Sequence, residues 1–162
     1  MIVAALQSQL RALRRQIEHL PADVYCAVSG HASGSIGQHV RHVADHVRAL
    51  LDLTQTAAFT YDARLRGTRI EREPSSAADE IVRLCIAIEA FDDLPFDREV
   101  TLSVLTDAGR VPVSVRSSVG RELAFVLQHT IHHCAMVGIL LEAAGRRVSP
   151  RFGYAPSTPV RA

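Results

Sequence analysis

Apolar residues recur at spacings of three and four through the first twenty positions. Leu6, Leu10, Leu13, Ile17 and Leu20 form one stripe, while Arg11, Arg14, Arg15 and Glu18 fall mostly on the other side. This period predicts an amphipathic helix over roughly Ile2 to Leu20, ended by Pro21. A connector rich in small residues follows and closes on Ser33-Gly34-Ser35, where Ser35 is placed to cap a second helix from Ile36 to about Thr54. From Gln55 to Pro74 the period is lost and charge crowds in, as in Tyr61-Asp62-Ala63-Arg64-Leu65-Arg66-Gly67. That stretch reads as a long, partly ordered loop, a class that often carries function. A third helix is expected from about Ser76 to Phe91, capped by Ser75 or Ser76, with Ala78, Ile81, Leu84, Cys85 and Ile88 facing inward.

Residues 98 to 117 switch to a period of two around Asp107-Ala108-Gly109. Val100, Leu102 and Val104 alternate before that turn and Val111, Val113 and Val115 after it, which signals a β-hairpin. A fourth helix, from Val119 to about Ala144, is apolar around most of its circumference and should be the most buried element, with Gly145 just past its end. The tail from Arg146 onward, with Pro150, Pro156 and Pro159, reads as irregular chain over the surface. The pattern therefore predicts a single domain over residues 1–162, all-α, built as a four-helix bundle with a small β-hairpin before the last helix.

Composition supports a folded chain. Of the 162 residues, 48% are hydrophobic and 22% charged, near globular averages. The formal net charge of +1 provides no strong field for nucleic acid or anionic lipid, so neither is expected as a partner. All 18 basic residues are Arg, and the absence of Lys excludes Schiff-base and lysine-base chemistry. Cys26, Cys85 and Cys134 are odd in number and set in apolar surroundings, which suits reduced thiols in a cytoplasmic protein. The opening stretch turns polar at Gln7, too early for the apolar core of a signal peptide, and no membrane partner is expected. Histidine is the unusual component: eight imidazoles stand against five Phe, three Tyr and no Trp.

Six of the eight histidines lie in two helical clusters. At about 100° per residue, His39, His42 and His46 share a sector roughly 60° wide bordering the apolar arc of the second helix. Arg41, Asp45, Arg48 and Asp52 form a separate polar strip about a third of a turn away. In the last helix His129 and His133, at i and i+4, project from one face in line with Phe125, Val126, Met136 and Leu140. Buried imidazoles need hydrogen-bond partners, and two of them stacked on an apolar face have few. A divalent cation answers that need, because an i, i+4 pair chelates with both rings and one more His from the second helix completes three ligands. His132 points aside, as a supporting or interhelical residue.

Other chemistries lack their residues. Thr130 follows His129, so the zinc-protease motif H-E-x-x-H is missing, as are paired E-x-x-H motifs of carboxylate di-iron bundles. Ser33-Gly34-Ser35-Ile36-Gly37 has neither the spacing nor the preceding strand of a nucleophile elbow.

The run Ser35-Ile36-Gly37-Gln38-His39-Val40-Arg41-His42-Val43-Ala44-Asp45, followed late in the chain by His129-x-x-x-His133, resembles the DinB/YfiT-like superfamily. The resemblance extends to the hairpin-like insertion and the Phe152-Gly153-Tyr154-Ala155-Pro156 tail. It implies a four-helix bundle holding one divalent metal, with His42, the histidine before Val-Ala-Asp, joining His129 and His133 as ligands. His39 and His46 lie near enough to replace His42, and His46 is the stronger rival. The metal expected is zinc or nickel, with iron also compatible. Relatives of this kind include transferases and isomerases that use low-molecular-weight thiols. The resemblance thus implies a cytoplasmic homodimer acting on a small molecule as a metal-dependent thiol S-transferase, a hydrolase with the same ligands, or a non-catalytic metal-binding, stress-related module. Glu122 is a proton acceptor or metal-supporting residue on this reading, and Arg64, Arg66 and Arg69 are a clamp for a carboxylate of the thiol.

Overall fold

The computed structural model describes residues 1–159. It is mostly helical, with five helices and a small three-stranded sheet: α1 (Ile2–Ile17), α2 (Ala22–Cys26), α3 (Ile36–Asp52), β1 (Ala58–Phe59), α4 (Pro74–Ala87), β2 (Glu99–Val104), β3 (Val113–Ser118) and α5 (Val119–Ala143). Single 3₁₀ turns stand at Arg69–Glu71 and, continuing α4, at Ile88–Phe91. Helix α1 packs on α4 and α5, and α3 packs on the same two helices from the other side. Leu6, Leu10, Leu13 and Ile17 of α1 meet Val40, Val43, Val47 and Leu50 of α3 and Leu123, Val126 and Val137 of α5 in one core. By length and composition α5 would pass for a membrane span, but here it is the helix on which α1 and α3 are built.

Local signals set several boundaries. The Ser35 hydroxyl accepts from the Gln38 N–H at 3.2 Å, and the Gln38 side chain accepts from the Ser35 N–H at 3.1 Å, so a reciprocal cap starts α3. Helix α4 begins at Pro74, earlier than the expected serine cap. Proline is suited to a first helical position, where its missing N–H has no intrahelical partner, and the Ser76 hydroxyl instead donates to the Glu73 carboxylate at 2.7 Å.

The expected all-α bundle with one hairpin differs from the structure in two elements. Helix α2 occupies part of the first connector, and β1 pairs in parallel with β2, Ala58 opposite Thr101 and Phe59 opposite Leu102. Both are too short to show a period. The hairpin register is as the alternation requires, with Leu102 opposite Val115 and Val104 opposite Val113. The outer strand nevertheless overhangs the helices: Val100 and Leu102 are buried, whereas Val113 and Val115 are 49% and 45% exposed.

The tail is irregular and mostly exposed, as expected, but it is anchored at one point. Phe152 is buried against the core, and Gly153, at φ +75°, lies so close to α5 that a Cβ would overlap the Ala135 backbone. Glycine satisfies both the left-handed conformation and the contact.

Candidate metal centre

The second and last helices of the sequence reading, α3 and α5, lie side by side and bring their histidines together. One ring nitrogen each from His42, His129 and His133 lies within 4.8 Å of the other two. The Nε2 atoms of His42 and His129 are 2.9 Å apart, and the His133 ring centre is 4.5 Å from each of their ring centres. Two imidazole nitrogens on one tetrahedral zinc, each at about 2.0–2.1 Å, stand about 3.3 Å apart. The His42–His129 spacing is close to that, and the His133 nitrogen lies near enough to join them on a small divalent ion.

The two rivals occupy flanking positions. His39 places its Nδ1 3.0 Å from Nδ1 of His133, and its buried Nε2 has no partner. His46 donates from Nδ1 to the His42 carbonyl oxygen one turn back, at 3.0 Å, and its ring lies 4.3 Å from that of His42 and 4.1 Å from that of His129. His132 is exposed, with its ring 5.2 Å from that of His133.

Burial keeps the cluster neutral. It is the first cause pushing His42 down to about 3, with the charges of His46, Arg64, His129 and Arg41 adding to it. His129 is pushed down to about 4 by burial, then by His46, His132 and Arg64. His133 falls to about 2 through burial and the crowding of His129, His42, His39 and His132. His39 and His46 are lowered as well, chiefly by burial. Near neutral pH each imidazole therefore keeps a lone pair, the form that binds a cation.

Glu122 stands behind this cluster and outside it. It is 0% exposed and accepts three hydrogen bonds: from the Tyr61 hydroxyl at 2.9 Å, the Ser117 hydroxyl at 2.5 Å and Arg121 Nη1 at 2.8 Å. The Tyr61 ring stacks on His46 at 4.9 Å, and Phe125 stacks on His129 at 5.5 Å. Glu122 thus supports the cluster through Tyr61, a residue of the charged loop to which the sequence pattern assigns no role. Its signal was faint: one of eight aromatics, set in a polar stretch.

The three-arginine clamp is divided. Arg69 is ion-paired with Glu73 at 2.8 Å. Arg64 and Arg66 line an open cleft of about 420 Å³ with Asp62 and Leu105, and the Arg64 charge reaches His42, His46 and His129. A larger cavity of about 800 Å³ lies between α5 and the tail, around Ile139, Phe152 and Tyr154, and none of the histidines lines it.

The polar strip of α3 is partly covered by α4 and the 69–71 turn: Arg41 and Asp45 are buried, Arg48 is half-buried and Asp52 is exposed. Arg41 pairs with Asp45 at 3.0 Å and Glu71 at 2.8 Å, while Arg48 pairs with Asp45 at 3.1 Å and Glu80 at 2.5 Å. Gly37 permits this approach, since a Cβ there would overlap the Glu71 carbonyl oxygen and the Tyr25 ring.

A family model described as the DinB superfamily matches residues 5–137, from α1 through both histidine clusters. FK506-binding protein 5 from Rhizopus delemar is 32% identical over 106 residues, which is 65% of this chain and 28% of that protein. The match therefore takes in little more than a quarter of that relative's length.

Proposed function

This chain belongs to the DinB superfamily, and from that premise we propose that it binds one divalent metal and acts on a small molecule as a low-molecular-weight-thiol S-transferase. On this reading α1, α3, α4 and α5 are the four helices of the family's bundle, with α2 and the sheet as additions. The observation that carries the proposal is the set of three neutral imidazoles, His42, His129 and His133, gathered within ligand distance with no carboxylate among them. Zinc and nickel both suit such donors. When bound, the cation supplies Lewis acidity that lowers the pKa of a coordinated thiol or water.

The chain's own residues favour a thiol over water as the nucleophile. A hydrolase would use the same three ligands, and a carboxylate placed to take the proton from water would serve it. Here Asp45 is held by Arg41 and Arg48, and Glu122 by Arg121, Tyr61 and Ser117. A thiol starts from a much lower pKa, near 8.5, and needs less help from a base. Tyr61 and Phe125, stacked on His46 and His129, place apolar surface beside the cluster.

Elemental analysis of untagged protein tests the centre. Wild type should retain about one equivalent of zinc or nickel and His129→Ala/His133→Ala essentially none. Equal metal content in the two would refute the site. Thiol consumption with a model electrophile then tests the reaction: metal-loaded wild type should outpace the double variant. Equal rates with metal retained would leave a metal-binding module without transferase activity.

A further inference from the structure

Charge around the histidines is one-sided. The three donor rings are neutral, so nothing in the donor set offsets a divalent cation. Acidic groups beside the cluster are already matched: Asp45 and Glu71 by Arg41, and Glu122 by Arg121. Arg64 and Arg66, in contrast, have no ion-pair partner among the described residues. Asp62 shares their cleft, but its Oδ2 accepts from the Leu105 N–H at 2.8 Å and the Thr60 hydroxyl at 3.4 Å, and it pairs with neither arginine.

The segment bearing these arginines is held at both ends. Tyr61 is fixed by its stack on His46 and its hydrogen bond to Glu122, and the Gly67 N–H donates to Glu71 at 3.1 Å. Between these anchors the chain bounds the cleft of about 420 Å³, within the range typical of small-molecule sites. Guanidinium groups bind carboxylates and phosphates through paired hydrogen bonds, and an uncompensated positive field draws anions toward them.

We infer that Arg64 and Arg66 form an anion subsite beside the three-histidine centre, and that the small molecule bound there carries a carboxylate or phosphate group. The charge argument rests on the metal-centre reading above; the cleft and its unpaired arginines do not.

The test keeps the two apart. Metal content and affinity are measured first, so failure of the metal centre is seen there. Zinc-loaded protein is then titrated at fixed ionic strength with 3-mercaptopropionate and with neutral 2-mercaptoethanol. Wild type should prefer the anionic thiol by about tenfold or more, and Arg64→Gln/Arg66→Gln should lose most of that preference while binding 2-mercaptoethanol about as wild type does. Arg15→Gln/Arg147→Gln, which removes the same charge elsewhere, should keep the preference. Inorganic phosphate that displaces 3-mercaptopropionate from wild type assigns the subsite to phosphate as well as carboxylate; without displacement it is a carboxylate site. No preference in wild type, or equal loss in both double variants, would overturn the inference. Should the protein retain no metal, the titration with 3-mercaptopropionate is repeated on metal-free protein. Weaker binding by Arg64→Gln/Arg66→Gln then upholds the arginine pair, and equal binding rejects it.

Discussion

Helix α3 carries two polar clusters on different faces, and they are built on opposite rules. Toward α4, Arg41, Asp45 and Arg48 meet Glu71 and Glu80, and with Arg83 on Glu80 three cations match three carboxylates. Toward α5, His39, His42 and His46 meet His129 and His133, bases against bases, with one buried nitrogen left unpaired. Buried polar groups that complete each other need nothing further and are explained by the fold. A cluster of like donors leaves capacity for an added group. The contrast separates structure from function on a single helix, by complementarity and not by burial or polarity.

The largest expected effect breaks the matched face. Arg41→Ala leaves half-buried Glu71 without its guanidinium and buried Asp45 with Arg48 alone, and should destabilise the protein by about 3 kcal/mol while leaving the metal stoichiometry intact. His42→Leu should behave oppositely. With no charge left unmatched, metal-free protein should stay within about 1 kcal/mol of wild type, while metal uptake collapses. Urea denaturation of metal-free protein, paired with metal titration, checks both. If His42→Leu destabilises the metal-free fold as much as Arg41→Ala does, the histidine face is structural and the contrast fails.

A pH series sharpens the same contrast, because the two faces titrate in different windows. With His42 at about 3, His129 at about 4 and His133 at about 2, the folded chain resists protons that the unfolded chain accepts below about 6.5. The unfolded state then binds more protons, so metal-free stability falls as pH drops from about 6.5 toward 4. Glu80 has the other sign of charge. Burial raises it, but hydrogen bonds from Arg83 and Arg48 outweigh that and lower it, so its contribution holds above the usual value of 4.5 and is lost only as pH falls further. Thermal melts of chelator-treated protein should show Tm declining between pH 7 and 5, with a shallower decline in His129→Gln/His133→Gln. A flat Tm across that range would contradict the half-buried, neutral state of the cluster.

The sequence made the histidine face legible because its evidence is local. The i, i+4 spacing of His129 and His133 and the shared sector of His39, His42 and His46 follow from one helical period. The matched face is not legible in the same way. Arg41, Asp45 and Arg48 look like a solvated strip until Glu71 and Glu80, 30 and 32 residues away, are known to close over them. Strand β1 is hidden by its length of two residues, and the anchoring of Phe152 by its dependence on a contact with a helix that precedes it. The hairpin alternation gave the right pairing, but not that β3 would overhang. Exposure there depends on where the helices end.

Tyr61 tests where the boundary between the two kinds of cluster falls. Its hydroxyl belongs to a matched set, donating to a Glu122 carboxylate that Ser117 and Arg121 also serve, while its ring belongs to the histidine face through the stack on His46. Tyr61→Phe keeps the ring and removes one of three donors to a buried acceptor. The expected cost is small, about 1 kcal/mol in urea denaturation, because Glu122 keeps two partners. Metal affinity, read by competition with a chelating dye, should change by no more than about twofold, since the ring still covers His46. Tyr61→Ala removes the cover and should weaken metal retention more than Tyr61→Phe does, separating the ring's role from the hydroxyl's. If Tyr61→Phe instead lowers metal uptake as far as His129→Ala/His133→Ala, the phenol oxygen acts among the donors, and the histidine face is a mixed nitrogen and oxygen site.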